Sequence, residues 1–174
     1  MLPFRPSPDM MVVVSSEGSK PVLELVIFIG LQASGKSTFF CGRFAATHEL
    51  ISKDLFPNNA RNRDRRQEEL IEAALPAGRP VVVDNTNPTV EDRRTLVRQG
   101  REHGAKIVGY YFESTARECI ERNRLRAGKG KVPDVAIYAT AKKLVPPSYS
   151  ECFDELFRVR LTGLSFEVRQ EPRG

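Results

Sequence analysis

The run Gly30-Leu31-Gln32-Ala33-Ser34-Gly35-Lys36-Ser37 carries the densest chemical signal in the chain. Its two glycines let the backbone fold round a phosphate with N–H groups turned inward, and a helix N-terminus behind them would add partial positive charge. Lys36 then offers a full charge to the β- and γ-phosphates of a nucleotide, and the Ser37 hydroxyl can ligate Mg²⁺. Thr38 continues the run. The pattern is a phosphate cradle, so ATP and Mg²⁺ are the expected ligand and metal.

Phosphoryl transfer also needs a carboxylate to take the acceptor's proton and cations to offset charge on the transferred group. Asp54, just beyond a short apolar segment, is a candidate base; its competing role is a turn aspartate before Phe56-Pro57. Asp84 closes Val81-Val82-Val83 at the edge where an α/β sheet opens its ligand crevice, which suits a second Mg²⁺ contact. Capping the following turn through Asn85 is its alternative use. Arg122 and Arg126, four residues apart, would share one helical face and converge on nucleotide phosphates, with Arg126 meeting transition-state charge. Gly128-Lys129-Gly130-Lys131 follows, and residues 117–131 hold six basic and two acidic side chains. That composition suits a lid closing over ATP, and equally a solvated basic helix.

These groups need a scaffold that brings them to one place. Residues 22–29 are almost continuously apolar, as in a strand covered on both faces. A helix over 36–46 would lay Phe39, Phe40 and Phe44 on the sheet. A short strand at 49–52, an amphipathic helix at 65–75 and a buried strand at 80–84 come next. Asn87-Pro88 has the form of an N-cap and first-turn proline for a helix running to Glu102. A strand at 106–112, helices at 115–126 and 133–144, and a strand at 156–161 that 166–169 can pair complete the chain. Strands alternating with helices predict a parallel sheet with helices on both faces.

The length of 174 residues suits one α/β domain, and 40% hydrophobic with 28% charged residues is a globular composition. Pro3, Pro6 and Pro8 mark residues 1–20 as a flexible N-terminal extension, leaving 21–174 as the catalytic domain. No apolar stretch reaches the roughly 18 residues of a membrane span. Cys41, Cys119 and Cys152 are too scattered for a disulfide framework or a zinc site, so a reducing cytoplasm is the simplest location. A net charge of +5 is compatible with a polyanionic partner and is also common without one.

Four motifs together carry a resemblance: 30–39, Ser52-Lys53-Asp54, Val83-Asp84-Asn85-Thr86-Asn87-Pro88, and Arg122-Asn123-Arg124-Leu125-Arg126 with Val132-Pro133 shortly after. With the closing segment 146–153, they make the chain resemble the polynucleotide 5′-kinase family over about residues 22–162. The resemblance implies a three-layer P-loop fold around a five-stranded, mainly parallel sheet, and ATP as phosphoryl donor. It puts Asp54 at the general-base position, Lys36 and Ser37 at the phosphate and Mg²⁺ contacts, Asp84 at an active-site aspartate, and Arg122 and Arg126 in the lid. It implies a DNA or RNA 5′-hydroxyl as acceptor. One departure bears on that acceptor: the family often places an arginine three residues after the base, and Pro57 stands there. Arg61, Arg63, Arg65 and Arg66 are the substitutes at hand. A small-metabolite or nucleotide kinase on the same scaffold, and an ATP-binding switch with little turnover, are the other two readings.

Overall fold

The computed structural model describes residues 22–174; the segment 1–20, expected to be an extension, lies outside the described residues. The strands are β1 (Glu24–Ile29), β2 (Glu49–Ile51), β3 (Val81–Asp84), β4 (Lys106–Phe112), β5 (Glu155–Thr162) and β6 (Ser165–Gln170). They form one sheet in the order β2-β3-β1-β4-β5-β6. The first five run parallel, as expected. The sheet has six strands rather than five, because a short turn at Gly163-Leu164 returns β6 antiparallel against β5.

The described residues form five α-helices: α1 (Lys36–Arg43), α2 (Arg63–Ala74), α3 (Val90–Glu102), α4 (Ala116–Arg124) and α5 (Asp134–Lys143). Alternation along β1 explains the layers. Leu25, Ile27 and Ile29 pack with Ile71 and Leu75 of the α2 region and Leu96 and Val97 of α3. Val26 and Phe28 point the other way, into Phe39, Phe40 and Phe44. A third cluster of Leu31, Ala33, Cys119, Ile120 and Ile137 fastens α4 and α5 to the phosphate loop. No described helix is long and apolar enough to cross a membrane.

Three expectations are corrected. Helix α1 stops at Arg43 instead of residue 46, with Phe44 as its C-cap and its ring in the core. Asn87 does not cap α3; Thr89 does, in a reciprocal capping box with Asp92. Asn87 instead takes a left-handed φ of 42° and sends its side chain back to β1. Helix α4 ends at Arg124 rather than Arg126, where Leu125 and Arg126 tighten into bonds three residues back. Arg126 therefore leaves the helix, and its spacing from Arg122 no longer puts the two on one face.

Parallel register brings the loops of interest together. Phe28 pairs with Asp84 and Ile51 with Val83, so β1, β2 and β3 end at the same edge. The segments 30–37, 52–56 and 85–89 leave the sheet side by side.

Candidate active site

The phosphate loop is built around two positions that a side chain would spoil. A Cβ on Gly30 would lie 2.9 Å from Phe112 Cβ, and Gly35 has φ 99° with Phe166 packed 3.0 Å from where its Cβ would be. Ala33 also adopts a left-handed φ, 60°, which turns the loop back toward α1. Leu31 and Ala33 are buried in the α4–α5 cluster, so these residues offer a ligand their backbone alone. Gln32 ties the loop to α5 through Thr140 Oγ1 (3.0 Å). Thr38 is exposed on the first turn of α1 and lies outside the cavity lining.

Lys36 is 8% exposed and its ammonium is held by the carbonyls of Leu31 (2.6 Å) and Gly30 (3.1 Å) and by Ser34 Oγ (3.3 Å). Burial pulls its pKa down to about 8, against the attraction of Asp84. Ser37 Oγ donates to Asp84 Oδ2 at 2.8 Å. Burial raises the Asp84 pKa, while Lys36 and Ser37 oppose the rise. A hydroxyl and a carboxylate side by side fit a Mg²⁺ ion, which keeps several waters and takes few protein ligands beside substrate phosphates.

Asp54 sits in the short 3₁₀ turn Lys53–Leu55, exposed, on the wall of the same cavity of about 580 Å³ as Lys36, Ser37 and Asp84. Its turn is fixed from below, because Lys53 N donates to Asn85 Oδ1 (3.0 Å) and Asn85 Nδ2 donates to buried Gln67 (2.6 Å). Of Arg61, Arg63, Arg65 and Arg66, Arg63 is the one on the cavity wall.

The two arginines expected to form a lid do not converge. Arg122 Nε donates to Ala33 O (2.8 Å) and its Nη2 to Ser114 Oγ (2.8 Å), so it braces the phosphate loop from behind. Arg126 lines the cavity with Lys129, and its Nη1 donates to Gly130 O (3.1 Å). Buried Asn123 closes this segment at its base, donating to Val132 O (2.7 Å) and accepting from Val132 N (3.1 Å).

Behind the 84–88 loop stands a fully buried arginine that no local pattern marks. Arg93 donates to the carbonyls of Asn87 (3.0 Å) and Pro88 (3.2 Å), and grips both oxygens of Glu151 at 2.7 and 2.8 Å. Asn87 Nδ2 donates to Phe28 O (2.7 Å), and Gly30 N donates to Thr86 O (3.0 Å). The phosphate loop, the 84–88 loop and α3 are thereby one framework.

Two curated relatives align with the chain. One, named as a bifunctional polynucleotide phosphatase/kinase in Acanthamoeba polyphaga mimivirus, is 30% identical over 76% of the chain and 32% of its own length. The other, a bifunctional polynucleotide phosphatase/kinase of Schizosaccharomyces pombe, is 24% identical over 78% of the chain and 33% of its own length. The chain thus spans about a third of the length of the curated relatives it matches. A fungal RNA kinase crystal structure has the same fold at a TM-score of 0.61 and 17% identity, covering 81% of this chain and 39% of that one. The family described as AAA domain matches residues 25–147, and this chain, with its P-loop on a mostly parallel sheet, belongs to that family.

Proposed function

We propose that the chain transfers the γ-phosphoryl group of ATP to a hydroxyl acceptor. The observation that carries this reading is that Asp54, whose side chain makes no ion pair among the described residues, shares one cavity with Lys36, Ser37, Asp84 and Arg126. The backbone of 30–37 and Lys36 orient the phosphates, and Ser37 with Asp84 would hold Mg²⁺, which supplies charge neutralisation on the phosphate oxygens. Asp54 takes the proton from the acceptor hydroxyl as the new O–P bond forms. Arg126 and Lys129 offset negative charge on the transferred group. Arg122 acts at one remove, by keeping the Ala33 carbonyl in place.

The names of the relatives support a polynucleotide 5′-hydroxyl as acceptor, and Arg63 beside Asp54 offers a cation for an acceptor phosphate. A small hydroxylated metabolite is the second reading, favoured by Pro57 where the resemblance expects an arginine. The test is transfer from γ-labelled ATP to 5′-hydroxyl DNA, 5′-hydroxyl RNA and small hydroxyl compounds. Label should pass to an acceptor in the wild-type protein and far more slowly in Asp54→Ala. Release of phosphate to water alone, at the same rate in both proteins, would refute phosphotransfer.

A further inference from the structure

Past Asp54 the cavity opens into a second chamber of about 840 Å³, which also reaches Asn85 and Thr86. Its chemistry differs from that of the nucleotide half. On the P-loop side, Lys36, Arg63, Arg126 and Lys129 outnumber Asp54 and Asp84. On the far side, Asp54, Asp64, Glu68, Glu91 and Asp92 face only Lys53 and Lys143. Lys53 is already engaged by Asp64, and Glu91 lies 3.5 Å from Arg94. Glu68 makes no side-chain ion pair among the described residues.

Two buried amides line the same chamber with a polar atom to spare. Gln67, 6% exposed, accepts from Asn85, and its own amide nitrogen has no partner among the described residues. Asn87, also 6% exposed, uses its nitrogen on Phe28 O, and its oxygen has no partner among the described residues. A spare donor and a spare acceptor, each anchored by its other amide atom on the wall of a chamber that also carries carboxylates, suit the hydroxyls of a polyol. Polynucleotide sites combine a cationic track with aromatic platforms for the bases. No aromatic ring lines either chamber among the described residues, and acidic side chains outnumber basic ones along the outer one.

We propose that the acceptor is a small polyhydroxylated compound without phosphate, and that an amino substituent on it strengthens binding through the acidic wall at Glu68. This rests on the phosphotransfer reading and selects among its acceptors. The experiment measures transfer from γ-labelled ATP to neutral sugars and sugar alcohols, to their amino counterparts, and to 5′-hydroxyl DNA and RNA oligomers. Amino-polyols should be phosphorylated with a lower KM than their neutral counterparts. Glu68→Gln should shrink that ratio by about two- to fivefold, the scale of one exposed charge pair. Transfer to the oligomers with none to any polyol overturns the inference and leaves phosphotransfer standing. Equal or better KM for the neutral compounds overturns the part assigned to charge. No transfer to any acceptor, with Mg·ATP bound, overturns both.

Discussion

Lys36 ties its own protonation to the ligand. Its buried ammonium has a pKa of about 8 against an ordinary 10.5, so the unfolded chain binds more protons between those values. Burial of the charge therefore costs stability below pH 8, and the cost is relieved as pH rises toward 10.5. Nucleotide phosphates favour the charged form, so their affinity should fall over the same window while the stability of the unliganded protein rises. Paired titration calorimetry and denaturant melts from pH 7 to 10 check this, and Lys36→Met should flatten both slopes. Asp54 gives a different signature. Asp54→Ala should lower transfer by about 10²–10⁴ with nucleotide affinity largely kept, as expected for loss of a general base. Arg122 and Arg126 should separate as well. Arg126→Ala should cost about 10² in transfer rate, whereas Arg122→Ala should weaken nucleotide binding and folding together by about 1–3 kcal/mol, through the freed Ala33 carbonyl.

Elements decided how much of this was legible beforehand. The central strands are buried on both faces, so their apolar runs announce them, and 106–112 matches β4 residue for residue. The phosphate loop is equally plain, because glycine at 30 and 35 answers a steric need visible in the spacing alone. What stayed hidden are bonds between distant segments. Arg93 and Glu151 are 58 residues apart, and on α3 an arginine has the look of a solvated face until the fold buries it. The same holds for Gln67 under Asn85, and for Asn123 closing on Val132. Arg122 and Arg126 misled for a related reason: shared-face spacing presumes an unbroken helix, and α4 ends between them. Arg93→Ala would leave Glu151 buried without its partner and release the 87–88 carbonyls. It should destabilise the fold by about 3–5 kcal/mol by chemical denaturation, more than any surface arginine of α3.

Over the whole molecule, the candidate site is an assembly of segments that share no local sequence, chief among them 30–37, the turn at 53–55, the 84–86 stretch and the 126–130 segment. A ligand touching all four joins the P-loop framework to the 126–130 segment, so its binding free energy appears as resistance to global unfolding. At about a hundred times its dissociation constant, Mg·ATP should add about 2.7 kcal/mol, or about 5–10 °C in Tm for a chain of this size. Chelating Mg²⁺ should remove part of that shift, because Ser37 and Asp84 then offer the phosphates a hydroxyl and a raw carboxylate instead of a bridged cation. In Asp84→Asn the melting shift should be small and the same with and without Mg²⁺. A wild-type shift that is insensitive to Mg²⁺ would take Ser37 and Asp84 out of the metal site and leave Lys36 and the loop amides as the whole of the nucleotide's anchorage.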